Sequence, residues 1–237
     1  MKAIVLAAGR GDRMRPLTDR IPKPLLRAGG RTLIEWQILR LVRAGVRDIV
    51  VNVSHLGEKI VAALADGTHL GARIEYSREP VALETAGGIA LAMCSLGTGP
   101  FLAVNADIYC DFDYRRLAQT IETMQSADAP ALAHLVLVGN PDHHPKGDFV
   151  LGADGRLRAG ACRRLTFSGI GVYRQEFFAG IAPGERKAVG PMLHAAIERG
   201  CVFGERYDGV WMDIGTPERL NRLRVMLSDG ADHSRRA

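Results

Sequence analysis

The 237-residue chain carries 31 Lys and Arg against 26 Asp and Glu, a formal charge of +5, and is 47% hydrophobic and 24% charged. Those proportions exclude a disordered or fibrous chain, and no apolar run reaches the roughly 18–20 residues of a membrane helix, so the expectation is a cytoplasmic globular protein with no membrane partner. The positive balance favours an anionic ligand, but the basic residues are scattered, and no basic helix interleaved with aromatics marks a nucleic-acid binder, which leaves phosphate-bearing small molecules.

Short Val- and Ile-rich runs alternate with segments of helical period, the pattern of an α/β protein with a largely parallel sheet. The first strand is expected at Lys2 to Leu6, and Arg10, Asp12 and Arg13 interrupt the apolar segment too early for a signal peptide. Thr32 and Glu35 fit a capping box for a helix carrying Leu33, Trp36, Leu39 and Val42 and stopped by Gly45. Further strands are expected at Ile49 to Val53, Ile74 to Ser77, Phe101 to Asn105 and Leu132 to Val138, with helices at Glu58 to Leu64, Gly87 to Cys94 and Arg115 to Met124 between them.

From Gly139 the pattern loosens into a polar loop containing Asn140, Pro141, His143, His144, Pro145 and Lys146. Short strands at Asp148 to Leu151, Ser168 to Tyr173, Val202 to Tyr207 and Val210 to Asp213 follow, with helices at Pro191 to Arg199 and Pro217 to Leu227. Thr216 is the expected cap of the last helix, with Pro217 at its first position. One domain over 1–227 with a flexible tail over 228–237 is the expected organisation. The four cysteines, Cys94, Cys110, Cys162 and Cys201, lie too far apart for a zinc site and read as reduced, mostly buried thiols.

The loop after the first strand, Leu6 to Thr18, contains Ala8, Gly9, Gly11 and Asp12, where backbone amides can approach a phosphate. A dinucleotide fingerprint would need glycine where Met14 stands, and Pro16 breaks the loop; a phosphate-binding P-loop would need Gly-Lys-Ser/Thr. A nicotinamide-dependent oxidoreductase is disfavoured on that ground. Arg13, Arg15 and Lys23 give the loop three cations, and Pro22 and Pro24 stiffen the segment presenting Lys23. Downstream, Asn105-Ala106-Asp107 and Asp213 each follow a strand. Taken alone, either aspartate reads equally well as a turn or helix cap.

Leu6 to Thr18 together with Pro22-Lys23-Pro24-Leu25 resembles the signature of the sugar-1-phosphate nucleotidyltransferase family, and Glu84-Thr85-Ala86-Gly87-Gly88, Asn105-Ala106-Asp107 and Asp213-Ile214-Gly215-Thr216-Pro217 agree with that family in order and spacing. The resemblance implies a single Rossmann-like domain with a predominantly parallel mixed sheet flanked by helices. It further implies that Arg15 and Lys23 act in catalysis, and that Ala8, Gly9, Gly11, Asp12, Arg13, Glu84 and Gly87 bind the nucleotide. Asn105 and Asp148 would then meet the sugar, and Asp107 and Asp213 would hold Mg2+. Gly87 is expected where a side chain would push away a base, and Ala86 stands where a further glycine is usual.

Asn140 to His144 followed by Gly147-Asp148-Phe149 resembles a uridylyl-transferring branch of that family, which implies UTP and N-acetylmuramic acid α-1-phosphate as substrates; a guanylyl-transferring branch acting on mannose 1-phosphate is the alternative, and a nucleotide-binding regulatory module without turnover is the alternative outside catalysis. Adjacent His143 and His144 point apart and have no acidic or thiol cluster beside them, which argues against a metal centre there. His134 is expected as a hydrogen-bonded core residue, and Trp36 and Trp211 as packing residues.

Overall fold

The computed structural model describes residues 1–126, 128–160 and 163–234, so Cys162 and the end of the expected tail, 235–237, lie outside the described residues. The elements are β1 (Lys2–Leu6), β2 (Arg27–Ala28), β3 (Arg31–Thr32), α1 (Leu33–Arg43), β4 (Asp48–Val53), α2 (Gly57–Leu64) and β5 (Arg73–Arg78). After these come α3 (Glu84–Leu91), α4 (Met93–Leu96), β6 (Phe101–Asn105), β7 (Ile108–Cys110), α5 (Ala118–Met124), β8 (Ala133–Val138), β9 (Phe149–Leu151) and β10 (Leu157–Arg158). The chain continues through β11 (Arg164–Tyr173), α6 (Val189–Glu198), β12 (Val202–Tyr207), β13 (Trp211–Asp213) and α7 (Pro217–Ser234).

β1 lies at the centre, parallel to β4 on one side and to β6 on the other, and β5 extends the sheet in parallel beyond β4. β11 runs antiparallel to β6 and to β8, and β12 is parallel to β8, so the sheet is mixed and mostly parallel. The Val- and Ile-rich composition follows from this placement, because central parallel strands are covered on both faces. Ala3 and Val5 meet Ile34, Ile38 and Leu41 of α1 on one side, while Ile4 and Val50 meet Ile89 of α3 and Leu193 of α6 within the second cluster. A smaller cluster joins Met14, Leu26 and Leu33 to Tyr109, Ile214, Leu220 and Leu223, so α7 packs against the segment that follows the glycine-rich loop.

The capping box of α1 is formed: Thr32 N donates to Glu35 Oε2 at 2.6 Å, and Glu35 N donates to Thr32 Oγ1 at 3.3 Å. The helix expected at Gly87 to Cys94 begins instead at Glu84 and breaks at Ala92 into α3 and α4. Gly87 and Gly88 mark close packing inside a helix here, not its start. β7 is too short to show a period, yet pairs with β13 as an antiparallel ribbon. β11 starts at Arg164 and carries a bulge between Phe167 and Ile170.

Two expectations need correction. His134 is half-buried in β8, but its Nε2 has no hydrogen-bond partner and stands 3.8 Å from Glu205 Oε1. Of the described thiols only Cys110 is buried, and burial pushes its pKa up to about 11, whereas Cys94 is exposed and Cys201 intermediate. Trp36 and Trp211 do pack as expected, with indole N–H groups donating to Ala28 O at 3.0 Å and Ser168 O at 2.8 Å.

Candidate active site

Ligands of open α/β sheets bind beyond the carboxyl ends of the strands, where neighbouring connections diverge. A cleft of about 310 Å³ occupies that place, lined by the ends of β1, β4 and β6 and by the segment after β5. Ala8, Gly9, Lys23, Glu84, Asn105 and Asp107 all line it, so six of the residues singled out in the sequence converge.

Lys23 enters the cleft from a 3-10 turn, Lys23–Leu25, that begins after Pro22. Its side chain is only 10% exposed, and its ammonium forms an ion pair with the Asp107 carboxylate. A buried cation without a partner would be strongly unfavourable, so the two groups require one another in this state. Gly11 has φ +70°, and a Cβ there would stand 3.1 Å from both Lys23 Cβ and Thr18 Cγ2. Its glycine therefore lets the Lys23 stem and Thr18 close against the loop, which Thr18 Oγ1 ties by donating to Gly11 O at 2.9 Å.

Asp12, Arg13 and Arg15 are exposed and do not line the cleft. Arg15 stands between Asp12, at 3.4 Å, and Asp19, at 3.3 Å, with 58% of its side chain exposed. Exposed pairs of this kind contribute about 0–1 kcal/mol, so little holds Arg15 away from a stronger anion.

Asn105 is set by the β11 bulge. Gly169, at φ +82°, lies directly against its amide, where a Cβ would stand 2.9 Å from Asn105 Cγ, and Ser168 Oγ accepts from Ile170 N at 3.2 Å inside the bulge. Gly87 does not line the cleft. A Cβ at Gly87 would collide with Glu185 O and approach Leu83 Cβ at 3.0 Å, and its N–H donates to Lys187 O at 3.1 Å, so its lack of a side chain serves packing against Glu185–Lys187. Asp148 is also absent from the lining: Oδ1 takes His144 Nε2 at 3.0 Å and Oδ2 takes Phe167 N at 2.8 Å, which pins the polar loop to β11.

Asp107 and Asp213 are joined through the β7–β13 ribbon, where Ile214 N donates to Asp107 O at 2.8 Å. Asp107 faces the cleft, whereas Asp213 lines an adjoining cavity of about 420 Å³ with His143, Arg219 and Arg222. His143 Nε2, at 2.8 Å, and Arg219 Nη1, at 3.2 Å, both lie on Asp213 Oδ1. Among the described residues Asp107 Oδ1 and Asp213 Oδ2 form no hydrogen bond. Each carboxylate therefore keeps one oxygen uncommitted, the hard donor a divalent cation takes, although the two face different cavities. Among the described residues no cluster of three or more His, Cys, Asp or Glu offers a denser metal cage, and none of the helices is long and apolar enough to cross a membrane.

Sequence reasoning missed Asn52, Glu79, Arg186 and Arg219, and it named His143 without its pairing to Asp213. Arg186 crosses the cleft rim to Glu84 Oε1 at 2.7 Å, and Glu84 itself sits at φ +64°. Asn52 was visible as the one polar residue in Ile49-Val50-Val51-Asn52-Val53. Glu79, between Arg78 and Pro80, gave no such signal.

Residues 2–156 match the nucleotidyl transferase family model. The N-acetylmuramate alpha-1-phosphate uridylyltransferase of Neisseria meningitidis serogroup B is 46% identical over 95% of this chain and 98% of its own. The enzyme of the same name from Caulobacter vibrioides is 34% identical over 96% and 97%, and the mannose-1-phosphate guanyltransferase of Aspergillus fumigatus is 32% identical over 92% of this chain and 62% of its own. A Bacillus anthracis crystal structure containing a sucrose superimposes with a TM-score of 0.84 at 21% identity, covering 97% of this chain and 96% of that one, which shows a shared fold.

Proposed function

The chain belongs to the nucleotidyl transferase family, and from that premise we propose that it converts UTP and N-acetylmuramic acid α-1-phosphate to UDP-N-acetylmuramic acid and pyrophosphate. The observation that carries the reading is the likeness at 46% identity, end to end, to a uridylyltransferase of that sugar phosphate, joined to a cleft lined by the loop, lysine and aspartate that the chemistry needs. Guanyltransferases are more distant in identity, and 62% of the fungal one's length is covered by the match.

In this reading the nucleotidyltransferase unit spans 1–227 and the Ala8–Gly9 amides receive the triphosphate. The sugar-phosphate oxygen attacks the α-phosphorus in line with the departing pyrophosphate, an approach between two anions that has to be neutralised. Lys23 supplies a buried positive charge beside the reacting phosphate, and Arg15, loosely held by Asp12 and Asp19, swings onto the charge developing there. Asp107 and Asp213 are the residues that would hold Mg2+, which when bound screens the phosphate charges. Asn105 accepts or donates at the sugar hydroxyls, while Asp148 acts from outside the cleft by holding the His144 loop. Pyrophosphate release on mixing the two proposed substrates tests the reaction; release with mannose 1-phosphate and GTP alone would assign the chain to the other branch.

A further inference from the structure

Between the two walls of the cleft lies a buried polar pair that the proposed chemistry does not use. Asn52, at the end of β4, is 3% exposed, and Glu79, just after β5, is 5% exposed. Asn52 Oδ1 accepts from Ala7 N, the first amide beyond β1, at 2.7 Å. Asn52 Nδ2 donates to Glu79 Oε1 at 2.6 Å, and Glu79 Oε2 accepts from Leu83 N at 2.8 Å. Three hydrogen bonds thus run unbroken from the glycine-rich loop to the turn that carries Glu84 and Thr85.

Two further features show that the chain of bonds is built, not incidental. A Cβ on Gly88 would lie 2.8 Å from Asn52 Nδ2 and collide with Glu79 Oε1, so the glycine in α3 makes room for the pair. Glu79 N donates to Val53 O at 2.8 Å, fixing the backbone on which the carboxylate stands. No Lys or Arg pairs with Glu79 among the described residues, and burial holds its carboxyl above the usual range, partly offset by the Leu83 amide and the Asn52 side chain. A buried carboxylate without a cation is a costly way to hold a turn, and the cleft is where it has been placed.

We propose that Asn52 and Glu79 are positioning residues for the nucleoside triphosphate: the pair sets the spacing between the Ala7–Gly9 loop and the Leu83–Thr85 turn. It acts on nucleotide affinity, leaving the sugar phosphate and the chemical step to other groups. The inference rests on reading this cleft as the nucleotide site.

The polarity of the three bonds gives a test by exchange. In E79Q the new amide can serve Leu83 N only by turning its NH2 toward Asn52 Nδ2, donor against donor. N52D sets two carboxylates face to face. In N52D/E79Q the carboxylate at position 52 accepts from Ala7 N and from the new amide, whose oxygen accepts from Leu83 N, so all three bonds return with the middle one reversed. UTP binding with magnesium chloride and without sugar phosphate is titrated calorimetrically for all four proteins, beside kcat, the KM for sugar phosphate and the melting temperature. Each single variant is expected to weaken UTP binding at least about tenfold, with kcat and the sugar-phosphate KM within about threefold, and the double to return within about threefold of the parent. Unchanged UTP binding in the single variants, whatever their melting temperatures, overturns the inference, as does a double no better than the worse single. Should the singles fail to fold, a folded double that binds UTP far more weakly than the parent overturns it equally. A parent protein that binds no nucleoside triphosphate instead removes the functional reading beneath it.

Discussion

The floor and the rim of the cleft are built on opposite terms. On the floor, Lys23, Asn52 and Glu79 are buried and every one of them has found a partner, which spares the fold the cost of about 1–3 kcal/mol that each unsatisfied polar group would carry. The exposed rim groups are held differently: Arg15, which does not line the cleft itself, shares exposed carboxylates, and Arg186 forms an exposed 2.7 Å contact with Glu84. Floor groups are therefore set before a ligand arrives, and rim groups are free to be rearranged by one. Catalysis by preset charge and by recruited charge can be separated by mutation.

The largest effect is expected at the floor. Asp107→Asn should lower turnover roughly a thousandfold, because a neutral amide neither pairs with Lys23 nor binds a divalent cation well, and Asp213→Asn, beyond the floor in the next cavity, should follow it closely as the second proposed Mg2+ ligand. Pyrophosphate release together with a melting curve checks that the loss is chemical and not unfolding. Near-normal turnover in both variants would break the floor half of the comparison. Lys23→Ala should cost about a hundredfold in kcat, and it should also lower the melting temperature, since Asp107 loses its buried partner.

At the rim, Arg15→Ala should reduce kcat by about ten- to a hundredfold while the melting temperature hardly moves, because its exposed ion pairs contribute about 0–1 kcal/mol. An effect confined to KM would show that Arg15 binds substrate without acting on the transition state. The smallest change is expected at Lys146, in the loop held by His144 and Asp148. N-acetylmuramic acid differs from N-acetylglucosamine by a lactyl ether that carries a carboxylate, and with Lys146 proposed to face it, Lys146→Ala should narrow the preference for N-acetylmuramic acid 1-phosphate over N-acetylglucosamine 1-phosphate by only a few-fold, roughly the worth of one exposed charge. Initial rates on the two sugars measure it.

The same division explains what the sequence disclosed. β1 and β6 were legible to their end residues because apolar runs bounded by turns announce themselves, and the Thr32 capping box was legible because both of its partners lie within one turn. Lys23 and Asp107 were legible through motif context, although nothing in a linear reading shows that they pair over 84 positions. Gly87 was marked as a place where a side chain would push away a base, and the fold adds a second demand that no linear reading shows: the neighbours of Gly87 and Gly88, Glu185 O and the Asn52–Glu79 pair, come from distant segments. Asp148 was read as a sugar ligand, and what no linear reading shows is that each of its oxygens already has a partner in His144 or Phe167. Tertiary contacts decided each of these, and local pattern carries no trace of them.

The most direct test of the account is a side-by-side assay of pyrophosphate release by the full chain, pairing UTP, dTTP, CTP and GTP in turn with N-acetylmuramic acid α-1-phosphate, N-acetylglucosamine 1-phosphate, glucose 1-phosphate and mannose 1-phosphate. The account predicts the highest kcat/KM for UTP with N-acetylmuramic acid α-1-phosphate, and loss of that activity when magnesium is chelated. Efficient turnover of GTP with mannose 1-phosphate, or of glucose 1-phosphate with no response to the lactyl group, would contradict it.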